Sequence, residues 1–505
     1  MPRCSVALFF LCCSVLLLLS HSATVVQAQA AKPGNASVFF DRVVLTDSFY
    51  GDYGLRKADV NQDGRMDLVA FAWQTGLLAW FENPSWRQHN VGKYPGIVDL
   101  DFADMNEDGL LDFVVAWDLH VPPVSPNEGQ AGWLVHPSSN STSNDTSVLE
   151  GAEEEDERWE YRPIADATNY VAGIHRIRVG RFLKGGSDKD VIVIPIFDYG
   201  VGPQYFNQSG CSIRYFARPE DAATRTSAWN TNSTLLNSSL HICHTVRSYS
   251  SSLLSASSKE AAAAQQDFLI INSLEGITRL DVLNDASSSS SAAFAPKARL
   301  TNLNPGKAPV AWSPFHGSQG TSLGFVDGRP AFMAQISPWE GVNVLSPATV
   351  AILLPSSSSS SIFQPPLQRI ELGVLGPQAH DVVAADFNGD GCDDFLVGLR
   401  GPVIGVWMYE CHKKKNNKKL ELEWTFYPVS LDQRYGASAL VAHDFDGDGK
   451  MDWAATGFPG FPENEEEEGQ NSKSEPNGLL VNNQQRRSTK RAQGNHYVAV
   501  YYQRS

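Results

Sequence analysis

Four stretches of this sequence carry side-chain oxygens at a spacing that suits a divalent cation. The shared template is Asp-x-Asn/Asp-x-Asp-Gly-x-x-Asp. It supplies Asp59, Asn61, Asp63 and Asp67 in the first copy and Asp104, Asn106, Asp108 and Asp112 in the second. The third supplies Asp386, Asn388, Asp390 and Asp394, and the fourth Asp444, Asp446, Asp448 and Asp452. Oxygens at positions 1, 3, 5 and 9 can converge on one point if glycine at position 6 allows a sharp turn, and hard oxygen donors suit Ca²⁺. Up to four structural Ca²⁺ sites are therefore expected. Position 12 is Ala70, Val115, Val397 or Ala455, so the bidentate glutamate of a helix–loop–helix calcium site is missing.

The elements around these loops are short and apolar, without a sustained helical period. Runs such as Leu68–Ala72, Phe113–Ala116, Phe395–Val397 and Trp453–Ala455 follow directly and read as strands. Weaker copies lead into strand-like runs at Asp190, Asp267 and Ala331. Together the strand openings fall at residues 67, 112, 190, 267, 331, 394 and 452. Seven copies of a unit of about 45 residues, enlarged by insertions, predict an all-β fold, a seven-bladed β-propeller with Ca²⁺-binding inter-strand loops. Residues 31–505 form this single domain, with Ser37–Leu45 and His496–Tyr502 as the strands that close the ring. Low-complexity tracts near 138–158, 250–264, 413–419 and 462–492 are expected as disordered surface loops, with shorter serine tracts at 287–291 and 356–361.

The start of each innermost strand is where a propeller builds a site along its axis. His380 and His175 each stand seven residues before a phenylalanine, Phe387 and Phe182, at matching places in their copies. His244 takes a similar place in the fourth copy. Tyr53, Val98 and Ser438 fall there in the others. Three histidines from different blades predict a catalytic cluster in the channel. Neutral imidazoles can hold Zn²⁺ or a similar ion (Mg²⁺ is the other candidate), and an open metal position can polarise a carbonyl. Glu340 and Asp381 are carboxylate partners, and Arg176 and Arg434 can orient hydroxyls.

The repeats resemble the FG-GAP/VCBS repeat family, over most of the chain after residue 30. Phrases such as Leu77-Leu-Ala-Trp80-Phe81-Glu82-Asn83-Pro84, Gly173-Ile-His175-Arg176, Ser337-Pro338-Trp339-Glu340 and Ala379-His380-Asp381 are similar to the propeller domain of aldos-2-ulose dehydratase-type proteins. That resemblance implies carbon–oxygen lyase chemistry on a keto-sugar, with metal ions. The fungal members carry cupin domains after the propeller, whereas this sequence ends with the seventh copy. A non-catalytic propeller, holding a glycan or protein while its calcium is purely structural, is the alternative.

The sequence has 505 residues and a net charge of −16 at neutral pH. Such acidity argues against nucleic acid as a partner. Arg3, the apolar run Val6–Leu19 and the small residues up to Ala30 read as a secretory signal over 1–30, and no later run is long enough to span a membrane. A secreted, extracellular protein is expected, with a carbohydrate or a cell-surface glycan or protein as ligand. Asn-x-Ser/Thr sequons at Asn35, Asn140, Asn144, Asn207, Asn232 and Asn237 agree with this. Four cysteines follow the signal, and the expected pairs are Cys392–Cys411 and Cys211–Cys243.

Overall fold

The computed structural model describes residues 32–119, 128–137, 159–166, 172–197, 210–221, 224–226, 229, 233–254, 266–284, 296–303, 317–338, 347–355, 361–400, 405–416, 419–430, 436–458 and 496–504. Their strands form seven sheets, six of four strands and one of five, antiparallel except where Lys32–Pro33 joins Lys419–Ser430 in parallel, and almost without helix. In chain order the innermost strands are Asp52–Ala58, Asp99–Ala103, Ile174–Gly180, Val246–Ser250, Gly320–Val326, Ala379–Ala385 and Gly436–His443. We number the blades 1 to 7 in that order.

The apolar pattern explains the architecture. Second strands such as Asp67–Ala72 and Asp394–Leu399 are buried along their whole length, because a sheet between two neighbours must be apolar on both faces. Outermost strands such as Arg87–Lys93 alternate or open to solvent. The buried side chains separate into one cluster at each blade–blade boundary. Val69, Phe71 and Trp80 of blade 1 meet Phe113 and Leu134 of blade 2, and so on around the circle. Leu68, Ala70 and Phe81 of blade 1 also meet Ala454, Val498 and Val500 of blade 7, which closes the ring. The closing blade combines both ends of the chain. Phe40–Thr46 runs antiparallel to Val498–Gln503, with Val43 opposite Val500. Trp453 stacks on Tyr501 inside this blade, ring centroids 3.6 Å apart.

Six second strands open on the expected aspartates. The remaining one, in blade 5, begins at Arg329, two residues before the expected Ala331, after a turn in which Asp327 and Gly328 both take positive φ. The 413–419 tract departs from expectation. Residues 413–416 and 419 are not a disordered loop: they belong to strands Gly405–Asn416 and Lys419–Ser430, and Asn416 pairs with Lys419, while 417 and 418 lie outside the described residues. Ser250 closes an inner strand and 251–254 form a 3₁₀ turn. Residues 1–30, 138–158, 255–264, 287–291, 356–360 and 462–492 lie outside the described residues, as do Asn140, Asn144, Asn207 and Asn232. Among the described residues no helix is long and apolar enough to cross a membrane.

Cys392 and Cys411 form a disulfide that ties the loop of blade 6 to its third strand. The expected partner pair is corrected: Cys211 and Cys243 are buried free thiols. They are neighbours all the same, since the Cys243 amide donates to Cys211 Sγ at 3.3 Å.

Candidate functional site

The four acidic loops adopt one conformation. Each joins an innermost strand to the second strand of its blade. The first aspartate accepts from the glycine amide at position 6, as Gly64 N to Asp59 Oδ2 (3.0 Å) and Gly391 N to Asp386 Oδ2 (2.8 Å) show. That glycine has φ between +83° and +89° at Gly64, Gly109, Gly391 and Gly449, a region in which a Cβ is strained. The residue at position 3 accepts from the amide of position 5 in all four loops. Position 5 accepts from the amide of position 7.

The aspartate at position 9 is buried and holds the blade together. Asp67 accepts from the amides of Val60 and Asn83, Asp112 from Met105 and His136, Asp394 from Phe387 and Cys411, and Asp452 from Phe445 and Gln503. In each case one amide belongs to the loop and the other to the third strand or the residue that follows it. Burial pushes Asp67, Asp112 and Asp452 up to about 6 and Asp394 up to about 8. Blade 3, which has lost the other loop ligands, keeps this carboxylate: Asp190 accepts from Tyr215 Oη at 2.6 Å and from the Arg218 amide at 2.9 Å.

Two features fit a cation in these loops. Asp59 Oδ1 is buried and makes no hydrogen bond among the described residues. In blade 7, Asp444, Asp446 and Asp452 each bring one carboxylate oxygen within 4.8 Å of the others. Asp448 of the same loop turns instead toward Lys450 Nζ, at 2.9 Å.

The second candidate site lies at the opposite ends of the innermost strands. The ladder of blades 1, 3, 6 and 7 slips by one residue at Tyr53, His175, His380 and Ser438. A bulge of this kind re-aims a side chain. Gly173, at φ +69°, starts the blade 3 strand where a Cβ would lie 2.3 Å from the Phe197 carbonyl.

His175, His244 and His380 form a buried row. Ring centroids are 5.0 Å apart for His175–His244 and 5.4 Å for His244–His380. Tyr53 joins the row, its Oη 2.9 Å from His175 Nε2 and its ring 6.2 Å from that of His380. Each Nδ1 faces a backbone carbonyl of the next blade: Cys243 O for His175, Gln319 O for His244 and Ser438 O for His380. A carbonyl cannot donate, so Nδ1 carries the hydrogen and Nε2 keeps the lone pair. His175 Nε2 then accepts from Tyr53, and the Gln319 amide lies 3.4 Å from His244 Nε2. Burial first holds all three imidazoles well below their ordinary pKa, joined by the Arg176 charge at His175, by Arg176 and Arg400 at His244 and by Arg400 at His380, so they are neutral. Arg400 caps the row: it donates to Ser438 Oγ at 2.6 Å and lies over the Tyr53 ring, 5.3 Å from its centroid.

Three neutral imidazoles, each fixed by a second hydrogen bond, have the donor chemistry of a zinc-type site rather than of Mg²⁺. Their spacing is wider than a closed cluster, because they do not bring three ligand nitrogens within 4.8 Å of one another as the blade 7 carboxylates do. Below the row, Asp99 receives Arg178 Nη1 at 2.5 Å and also Arg56, while Arg247 Nη2 reaches Asp381 at 3.2 Å. Asp381 thus spans blades 4 and 6, and it also accepts from the Leu440 amide of blade 7 at 2.9 Å. Glu340 and Arg434 lie outside the described residues. Tyr53 and Gln319 as partners of the histidines, and the Arg–Asp tier, were not foreseen. The seven-residue offset that found the histidines also points to Tyr53, but the tier has no signature in spacing.

Comparison with known proteins adds three findings. Residues 50–115, which span blade 1 and the loop of blade 2, match the family described as FG-GAP-like repeat. The aldos-2-ulose dehydratase of Phanerodontia chrysosporium is 22% identical over 385 residues, a match covering 72% of this chain and 36% of that protein. The chain therefore corresponds to about a third of that relative's length. Among solved structures, a luciferin-regenerating enzyme superposes with a TM-score of 0.34 at 9% identity, covering 78% of this chain and 96% of that one. An ancestral GH74 enzyme superposes with a TM-score of 0.43 at 12% identity, covering 83% of this chain and 46% of that one.

Proposed function

We propose that this FG-GAP-repeat propeller is an extracellular lyase that removes water from a keto-sugar, with the imidazole row as its reaction centre and Ca²⁺ in the four acidic loops. The observation that carries the reading is the row itself. Three blades place His175, His244 and His380 side by side, each with Nδ1 anchored on a backbone carbonyl and Nε2 without a hydrogen. The 22% likeness to a dehydratase supports the choice of reaction class.

The chemistry follows from these positions. Elimination of water needs a base for the proton alpha to the carbonyl and a path for the leaving hydroxyl. Burial and neighbouring arginines keep the imidazoles in the base form, so an Nε2 takes the proton, the C–H pair becomes the new C=C bond, and the C–O pair leaves with the hydroxyl, which takes a proton from Tyr53 Oη or back from the imidazolium and departs as water. Tyr53, bonded to His175, holds a proton at the same place. A zinc-type ion on these nitrogens would polarise the keto oxygen. Burial excludes bulk water from the row, which strengthens each of these interactions. The disulfide Cys392–Cys411 supports an oxidising, extracellular setting.

The test is a dehydration assay on a panel of keto-sugars, with and without added Zn²⁺. His244→Ala and His380→Ala should each lower kcat by at least about 100-fold while the melting curve stays near that of the parent. No turnover by the parent protein on any keto-sugar, with metal supplied, removes the lyase reading. The spacing of the three imidazoles favours one second reading, a propeller that binds a glycan or a protein at this face without turning it over.

A further inference from the structure

One charged group near the row has no assigned part in binding the substrate. Arg176 follows His175 and is only 6% exposed. Its Nη1 donates to two carbonyls, Val98 O at 3.1 Å and His175 O at 3.0 Å. Its Nε and Nη2 make no hydrogen bond to any described residue, and no described carboxylate lies within ion-pair distance of it. The neighbouring arginines differ. Arg56 and Arg178 share Asp99, and Arg247 has Asp381. Asp101, the remaining carboxylate of the tier, accepts from the amides of Val179 and Phe102.

A buried guanidinium that must share its counter-charge with two other arginines is less stable than one with its own carboxylate. Backbone carbonyls offset part of that cost and cannot neutralise the charge. The field is felt along the whole row, since Arg176 depresses the basicity of His175, His244 and His380 alike. The surroundings are rich in positive charge: Asp99, which feels Arg176 as well, is already paired with Arg56 and Arg178. A planar guanidinium whose Nε–Nη2 edge is free matches a carboxylate, which it can bind through two parallel hydrogen bonds. A neutral sugar hydroxyl would fill the same space and bring no charge to it.

We propose that the axial site takes a carboxylate-bearing sugar and that Arg176 receives the carboxylate. This rests on the row being the ligand site, and it narrows the substrate class to sugar acids rather than neutral sugars. Arg176 is here a residue that determines specificity.

Binding, not turnover, tests it. The full chain is titrated calorimetrically with D-glucuronate, D-glucose and D-glucose 6-phosphate, at low and at high NaCl. The expected result is glucuronate binding at least about tenfold tighter than glucose, weakening with salt, as one charge-assisted pair implies. Arg176→Met should abolish the preference and Arg176→Lys should keep part of it. Equal affinity for glucuronate and glucose in the parent protein overturns the proposal. So does a preference for the phosphate, or a preference that survives in Arg176→Met. If Arg176→Met does not fold, the comparison of the three sugars on the parent protein decides alone. The two readings fail separately: glucuronate bound through Arg176 with no keto-sugar dehydrated sinks only the lyase, and dehydration of neutral keto-sugars without the charge preference sinks only this inference.

Discussion

Asp190 shows how one buried carboxylate can report on a blade. Burial pushes its pKa up to about 6, and the Tyr215 hydroxyl and Arg218 amide that it accepts from pull only partly the other way. The protonated acid is therefore the form that the fold prefers. Its contribution is complete below the unfolded carboxylate range and is lost as pH rises through about 6. Asp190→Asn keeps an acceptor for Arg218 N and should flatten the pH dependence of stability between about pH 4 and 6, where one proton changes it by up to about 1.4 kcal/mol per pH unit. Urea unfolding of both proteins across that range checks this, and parallel curves would refute it. At this scale the acidic loops and the histidines were legible because liganding and inward-facing residues recur at fixed offsets. His175 and His380 share a seven-residue offset, and Asp67, Asp112, Asp394 and Asp452 share position 9. What stayed hidden was pairing across blades. Nothing in the spacing links Asp99 to Arg178, or Asp381 to Arg247, because those contacts depend on which blades face each other across the axis.

At the scale of elements, each blade is stapled in its own way. Blade 6 has a covalent link with a sequence separation of 19. Replacing both cysteines by serine should cost about 3 kcal/mol, as for a loop of that size. A denaturation midpoint unchanged by reducing agent would show that the link adds nothing. Blade 7 relies on packing. Trp453 is fully buried against Tyr501, so Trp453→Ala should destabilise the chain by about 3–5 kcal/mol, read from thermal or urea unfolding. The strand openings could be read from sequence because the fully buried second strand is a short apolar run announced by an aspartate. The 413–419 hairpin was missed for the opposite reason. Lysine-rich sequence looks unstructured, yet these strands pair because the blade 6 sheet continues into them, and Lys413 reaches back to Asp327 of blade 5 at 2.9 Å. Composition does not record what a sheet edge can recruit.

For the whole molecule, the four loops couple metal to stability. Cation bound only to the folded chain adds about 2.7 kcal/mol per site at a hundredfold excess over Kd. Chelation by EGTA should lower the melting temperature and Ca²⁺ should restore it. Asp59→Ala, which removes the oxygen without a partner in blade 1, should shrink the shift. A melting curve indifferent to both treatments would leave the loops as metal-free turns.

The shared seventh blade also orders events in time. Val498–Gln503 pairs with Phe40–Thr46, and Ser438 Oγ donates to the Tyr53 carbonyl from the other end of the chain. During synthesis, blades 1 to 6 emerge from the ribosome as an open arc. The contact between Tyr53 and Ser438 forms only after almost the whole chain has been translated. Until then the first strand waits without its neighbour, exposed to chaperones and to other nascent chains.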